Sequence, residues 1–354
     1  MRIQFVLNML VLTGGVRVVF EHSQRLMARG HEVRLIAPHR RLPALRAGAV
    51  AWKRYLKERW SGTVEDGLRS YGLADHVVWF DPEAGHPAPE ADAVLATAWE
   101  TAEWVARMPE RAGRKYYLIQ QYEVWTEALR ERVDETWRLP LRKIVIAHWL
   151  ERLALDRFGV PVWARIPNGV DTNRFRPPEA RSGPPFTIAM LYDRSPHKGV
   201  EDGVAALWEI HRAEPATRFL LFGRNRLRHR LPPGSRYVRD PRQADFPRVY
   251  QAADVLVNSS HSEGFSLVTL EAMACGCALV ATAVGEAPEM GRPGQEYLLV
   301  PPGQSGALAR EAIELLRDPG RLRRVAASGL GLARRYTWEH ATDELEAALV
   351  RGTG

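Results

Sequence analysis

The chain has 354 residues, 45% of them hydrophobic and 26% charged, an ordinary composition for a folded protein of about two domains. This composition excludes a disordered chain. The uncharged run between Glu271 and Glu286 contains glycines and is too short to cross a bilayer, so we do not expect an integral membrane protein. The net charge of +7 favours anionic partners such as phosphates, nucleic acid or a membrane surface, without choosing among them.

The chain contains two cysteines, Cys275 and Cys277, which are too few to staple a protein of this size. A reducing compartment, the cytoplasm, is therefore expected. The apolar residues near the start are followed by Thr13-Gly14-Gly15 and a long amphipathic pattern, with no small-residue cleavage site between them. We interpret the start as a first strand and not as a signal peptide.

Short apolar runs alternate with segments of helical period along the first half of the chain. A helix is predicted at 16–28, with Gly30 just beyond its end in the position that favours a left-handed residue. The predicted strands lie at 3–7, 33–37, 77–80, 93–96, 116–120 and 144–147. This alternation indicates an α/β fold with a parallel sheet.

The second half repeats the pattern, with predicted strands at 186–191, 218–222, 237–239, 255–258, 278–282 and 297–300. Two similar open sheets therefore follow one another. The segment 166–185 between them is rich in Pro, Gly and turn formers, and we assign it to a linker outside both cores. The expected domains are 1–167 and 168–336, and a final helix at about 337–354, capped by Thr337, is expected to pack back on the first.

One carboxylate stands alone in an apolar setting. Glu271 is the only charged residue from Gly264 to Gly285, inside a predicted helix, and an unpaired buried carboxylate costs several kcal/mol. It therefore needs a partner, either a pair of sugar hydroxyls or a structural arginine. Glu263 lies ahead of the predicted helix cap at Ser266, where free backbone amides also point. Without Glu271 nearby, the preferred interpretation of Glu263 would be compensation of the helix dipole on a surface loop.

Two loops between strands and helices are candidate anion sites. The first contains Arg194 and Lys198 after strand 186–191; its alternative is a pair of solvated charges on a connecting loop. The second contains Gly14 and Gly15, where glycine permits close backbone approach to a ligand. The full dinucleotide pattern of glycines and a following acid is missing there, which disfavours an NAD site.

These residues resemble the retaining nucleotide-sugar glycosyltransferases of family 4, which have the GT-B fold of two facing Rossmann-like domains with a cleft between them. The strongest element is Glu263-Gly264-Phe265 followed by Glu271-Ala272-Met273-Ala274-Cys275-Gly276, which looks like the family's E-x7-E motif. Asn168-Gly169, Lys198-Gly199 and Asp254-Val255 support the resemblance. It covers nearly the whole chain.

The resemblance implies a role for each candidate residue. Glu271 would hold the ribose hydroxyls of the donor, while Glu263 and the neighbouring amides would face its sugar and phosphates. Arg194 and Lys198 would neutralise the diphosphate. The implied catalytic set is thus Glu263, Lys198 and Arg194, and the implied donor-binding set is Gly14, Gly15, Gly264, Phe265, Ser266, Leu267 and Glu271.

The sequence departs from the family pattern in two places. Arg194 stands four residues before Lys198, where the family loop has glycine-arginine, four residues and then lysine-glycine. Where many members carry a histidine-glutamate pair near the sugar, this chain has Gln120-Gln121-Tyr122-Glu123. His148 is the nearest histidine, and we interpret it as a helix-cap residue.

The resemblance also implies a reaction without metal or cofactor, because the nucleotide-sugar is itself the substrate. The sequence shows no metal-ligand spacing among its histidines and cysteines and no Gly-x-Ser-x-Gly nucleophile motif. The expected activity is transfer of a sugar to the hydroxyl of a glycan or lipid-linked acceptor with the anomeric configuration retained, in polysaccharide or glycolipid synthesis at the cell surface.

A basic segment at 40–60 interleaves cations with Trp52, Tyr55 and Trp60 at helical spacing. This pattern is typical of a helix lying on an anionic membrane, which would place the protein on the inner face of the membrane. The alternative is a solvated helix whose tryptophans pack on the first domain. The cations are Arg40, Arg41, Arg46, Lys53, Arg54, Lys57 and Arg59.

Two other functions remain open on the sequence. A nucleotide-sugar epimerase of similar architecture would convert the donor without an acceptor. A basic RNA-binding protein would need exposed aromatic side chains beside its cations. The RNA-binding hypothesis leaves Glu271 unexplained, so no nucleic-acid partner is expected.

Overall fold

The computed structural model describes residues 1–38, 63–80, 85, 87–124, 126–180 and 183–351. The chain divides into two compact units, each with its own parallel sheet. The first unit contains Met1–Ile146, Leu150–Ile166 and Ala341–Gly354, and the second contains Ala147–Trp149 and Pro167–His340.

The strands and helices alternate along the chain. The strands are β1 Arg2–Val6, β2 Glu32–Pro38, β3 Val77–Phe80, β4 Ala93–Ala96, β5 Arg114–Ile119, β6 Arg142–Val145, β7 Ala164–Arg165, β8 Thr187–Leu191, β9 Arg218–Gly223, β10 Ser235–Arg239, β11 Val255–Asn258, β12 Ala278–Thr282 and β13 Leu298–Val300. The helices are α1 Gly14–Ala28, α2 Thr63–Ser70, α3 Trp99–Arg107, α4 Arg130–Arg138, α5 His148–Phe158, α6 Val200–Ala213, α7 Phe246–Gln251, α8 Leu267–Ala274, α9 Ser305–Arg317, α10 Pro319–Ala333 and α11 Trp338–Arg351.

Both sheets are parallel and have the crossover order of doubly wound α/β domains. The first has seven strands in the order β3-β2-β1-β4-β5-β6-β7, and the second has six in the order β10-β9-β8-β11-β12-β13. Every residue of β4 and β12 is buried, because helices cover both faces of such a sheet. The predicted α/β class and the two successive sheets are therefore confirmed.

Local sequence signals explain where the elements end. Thr13 caps α1 by accepting a hydrogen bond from the backbone N–H of Val16, and Gly30 beyond its end has a φ of +85°. Thr337 likewise accepts from the backbone N–H of His340 in the first turn of α11. These two predicted helix ends are confirmed. The indole of Trp163 donates to the carbonyl of Ala348 in α11.

The interpretation of 166–185 as a linker outside both cores is wrong for part of that segment. Val170 and Phe175 are fully buried, and Val170 pairs with Thr337 in an isolated β-bridge. Prolines and glycines shape the backbone here, while the apolar side chains between them pack into the second unit. Among the described residues, no helix combines the length and apolar character that a membrane span requires.

Candidate functional site

The second unit brings three loops to one edge of its sheet. They follow β8, β11 and β12, which are neighbours, and parallel strands present their carboxyl ends at the same edge. Lys198 lies in the first loop, Glu263 in the second and Glu286 in the third. The sheet order therefore collects charged residues that are far apart in sequence.

Lys198 and Glu263 form an ion pair, with 2.8 Å between the lysine Nζ and the glutamate Oε1. The hydroxyl of Ser260 donates to the same oxygen at 2.8 Å. Both side chains are mostly buried, at 21% exposure for Lys198 and 13% for Glu263. The two residues lie in different loops of the sequence, and the structure joins them directly in one polar cluster.

Glu271 lies in α8 with 1% of its surface exposed. The hydroxyl of Tyr250, on α7, donates to its Oε2 at 3.1 Å. The sequence predicted sugar hydroxyls or an arginine as the partner of this carboxylate and gave no sign of the tyrosine. A hydroxyl supplies a hydrogen bond but no positive charge, so Tyr250 does not neutralise the carboxylate as an arginine would.

The residues from Gly264 to Leu267 form the turn into α8. The carbonyl of Gly264 accepts a hydrogen bond from the indole of Trp149 at 3.0 Å, and the Phe265 ring packs against Tyr336. Ser266 is the N-cap position of α8, as predicted, but its hydroxyl makes no capping hydrogen bond. The first backbone amides of this helix therefore receive no side-chain cap from Ser266.

The loop after β8 ends in a single 3-10 turn, Pro196–Lys198, and then Gly199. Gly199 has a φ of +56°, and a Cβ there would lie 2.1 Å from the carbonyl oxygen of Ser259, so only glycine fits. Arg194 is exposed, and its backbone N–H donates to the side chain of Asn225 at 2.7 Å. The structure thus holds Lys198 firmly and leaves the Arg194 side chain at the surface.

Gly14 and Gly15 lie in the first unit, where they begin α1. A Cβ on Gly15 would meet the Gln120 side chain at 3.3 Å, and the Gln120 amide donates to the Gly15 carbonyl at 3.3 Å. Glycine at position 15 therefore makes room for a side chain from the end of β5. Gly14 has open space around its Cα position.

Glu123 lies in the loop after β5, where its side chain contacts Trp99, the first residue of α3. Its Oε2 accepts from the backbone N–H of Trp99 at 2.8 Å. The pKa of this carboxyl group is raised to about 8, mainly by burial. The negative charge of Glu100 adds to this rise, and the hydrogen bond from Trp99 opposes it. This raised pKa favours the neutral, protonated form of Glu123, which can donate as well as accept a hydrogen bond.

His148 is not a helix-cap residue, because α5 begins at His148 itself and the cap comes from elsewhere in the chain. The carboxylate of Glu286 accepts from its backbone N–H at 2.8 Å and contacts its Nδ1 at 2.5 Å. Burial raises the pKa of Glu286, while its hydrogen bonds with His148 lower it. The sequence analysis missed Glu286, because nothing in the local pattern separates it from Glu289.

Comparison with known proteins supports a family. Residues 186–318 match the family model described as glycosyl transferases group 1. A D-inositol 3-phosphate glycosyltransferase of Segniliparus rotundus is 32% identical over 227 residues, which is 58% of this chain and 50% of the relative. One from Streptomyces bingchenggensis is 40% identical over 29% of this chain and 23% of the relative. The chain thus spans half or less of the length of these relatives.

Solved structures match over nearly the whole chain. HepE of Anabaena in complex with UDP-glucose has a TM-score of 0.75 at 18% identity, covering 99% of this chain and 100% of HepE. Sucrose-phosphate synthase of Thermosynechococcus elongatus has a TM-score of 0.73 at 19% identity, covering 99% and 98%. At such identities the likeness establishes the fold, and the predicted GT-B fold is confirmed.

The group 1 domain and the GT-B fold together support a glycosyltransferase of the family 4 type, as the sequence predicted.

Proposed function

We propose that the protein transfers a sugar from a nucleoside diphosphate donor to an acceptor hydroxyl, with retention of configuration and without a metal ion. One observation carries the proposal: the Lys198–Glu263 pair lies at the end of β8 and β11, and a buried carboxylate, Glu271, follows in α8. The structure of HepE with UDP-glucose supports a nucleotide-sugar as the donor class.

The proposed reaction is a front-face substitution. The bond between the anomeric carbon and the phosphate oxygen breaks, and the acceptor oxygen bonds to the same face of the carbon. The acceptor proton passes to the departing phosphate oxygen. Lys198 and Arg194 stabilise the negative charge that develops on the diphosphate, together with the amides that begin α8. Glu271 binds the ribose, and the glycines Gly14 and Gly15 permit close backbone approach to a ligand.

The acceptor side belongs to the first unit in this proposal. Gln120 and the neutral acid Glu123 lie just after β5, where many family members carry a histidine-glutamate pair. Both side chains hydrogen-bond to hydroxyl groups readily. They suit a hydroxyl-rich acceptor, which we take to be a glycan or a lipid-linked sugar in cell-surface polysaccharide synthesis.

The decisive experiment separates nucleotide binding from transfer. UDP and GDP should each be titrated in a thermal-shift assay, and the nucleotide that binds should raise the melting temperature with concentration, because a ligand of the native state stabilises it by mass action. Incubation with UDP-glucose or GDP-mannose and no acceptor then tests the epimerase alternative. An epimerised donor would contradict the proposal, as would retention on RNA at moderate salt without nucleotide binding.

The basic segment 40–60 lies outside the described residues, and its membrane contact stays a proposal. Vesicle flotation should show binding to anionic vesicles that fades as salt rises, because each cation near an anionic leaflet contributes about 1 kcal/mol. Changing Arg54 and Lys57 to Glu should reduce flotation. Binding to neutral vesicles alone, or none at all, would favour a soluble acceptor.

A further inference from the structure

We propose that His148, oriented by Glu286, hydrogen-bonds to the sugar of the nucleotide-sugar donor and helps to decide which sugar is accepted. This inference rests on the proposed function and deepens it. The nucleotide is assigned to other residues, Glu271 and Lys198, so the His148–Glu286 pair is expected to act on the sugar moiety alone.

Glu286 holds His148 through both carboxylate oxygens. Oε2 accepts from the backbone N–H of His148 at 2.8 Å, and Oε1 lies 2.5 Å from the ring Nδ1. A carboxylate accepts a hydrogen bond, so the ring proton sits on Nδ1, and in the neutral form of the imidazole Nε2 carries the lone pair. The pair therefore fixes both the orientation and the tautomer of the imidazole.

The two members of the pair differ in accessibility. Glu286 is 2% exposed, whereas the His148 side chain is 37% exposed. Within the described part of the chain, the ion-pair contacts of the imidazole run through Nδ1, to Glu286 and at 3.8 Å to Glu289. The buried carboxylate thus acts as a support, and in the neutral form of the ring Nε2 can accept a hydrogen bond from an external group such as a sugar hydroxyl.

The pair borders the Glu263-Gly264 turn, which is predicted to face the donor sugar. The contacts are made by Trp149, which follows His148, and by Gly285, which precedes Glu286. Trp149, next to His148, donates its indole N–H to the Gly264 carbonyl. Gly285, next to Glu286, packs so closely that a Cβ there would lie 2.5 Å from the Glu263 carbonyl oxygen. His148 is therefore tied to the Glu263-Gly264 turn from two directions.

The test uses two conservative variants. In His148→Asn, the side-chain amide can still donate to Glu286 while the Nε2 acceptor is lost. In Glu286→Gln, the amide N–H favours the tautomer with the proton on Nε2, and the acceptor becomes a donor. UDP affinity and UDP-glucose affinity are measured by calorimetry, and the rate of UDP-glucose hydrolysis without acceptor is measured in parallel.

We expect both variants to bind UDP as the wild type does, and to lose about tenfold in UDP-glucose affinity and in hydrolysis rate, which corresponds to one hydrogen bond. A matched control is another histidine-glutamate pair, His31 and Glu346 in the first unit, whose Nε2 and Oε1 are 2.8 Å apart. His31→Gln and Glu346→Gln are expected to change neither affinity.

Three outcomes would overturn the inference. An equal loss of UDP and UDP-glucose affinity would mean that the pair only supports the loops. Unchanged UDP-glucose affinity would show that His148 does not touch the sugar. Loss of wild-type activity in EDTA would indicate a cation, since His148, Glu286 and Glu289 offer ligand atoms within 4.8 Å of one another. A wild type that binds no nucleotide or nucleotide-sugar would instead refute the proposed function.

Discussion

Replacing Lys198 by alanine should lower turnover by about 100-fold or more, with a smaller loss of ground-state nucleotide affinity. The lysine ammonium is proposed to stabilise charge that develops on the leaving diphosphate, and removing one preorganised donor of this kind typically costs this much. Steady-state kinetics measures the turnover, and calorimetry on the same preparations measures the nucleotide affinity. Wild-type activity should persist in chelator.

The Lys198→Ala substitution is also expected to affect stability, because it breaks the ion pair with Glu263. Lys198→Ala also leaves Glu263 without its cation in a mostly buried position, which should lower the melting temperature. Adding Glu263→Gln should restore stability but not turnover. Arg317→Ala removes an ion pair with Glu214 in the same unit and should leave turnover intact. Wild-type turnover in Lys198→Ala, or an enzyme inactivated by chelator, would contradict the assigned role.

Glu271→Gln should weaken UDP binding by about 10- to 100-fold, because it replaces hydrogen bonds to a carboxylate with hydrogen bonds to a neutral amide. If the carboxylate accepts from the ribose hydroxyls, the wild type should also prefer UDP to 2′-deoxy-UDP, and the variant should lose most of that preference. Calorimetry with the two nucleotides measures both effects without depending on an acceptor.

Tyr250→Phe is the matched control, since it removes only the hydroxyl that donates to Glu271. Both variants are expected to lower the melting temperature modestly, because each alters a buried hydrogen bond. Only Glu271→Gln should change the preference for the ribose 2′-hydroxyl. A collapse of the melting temperature in Glu271→Gln with unchanged UDP affinity would make Glu271 a structural carboxylate.

The sequence by itself determined the fold class and most strand positions. Strands β4, β11 and β12 occupy the predicted residues, because a strand buried on both faces is a short apolar run with polar or turn residues at its ends. The edge strand β3 also lies where it was predicted, although it is only partly buried. The two-residue strand β7 was missed, because two residues carry no periodicity. Part of segment 166–185 was misassigned, because turn residues hid the buried Val170 and Phe175 among them.

The sequence also identified Glu271 as unusual, since an isolated carboxylate in an apolar helix is visible without a structure. It did not supply the partners. Tyr250 lies 21 residues from Glu271, Lys198 lies 65 from Glu263, and His148 lies 138 from Glu286. Only the tertiary structure decided these pairings, because each joins residues from elements that are far apart in sequence, and no local pattern specifies which of these elements pack together.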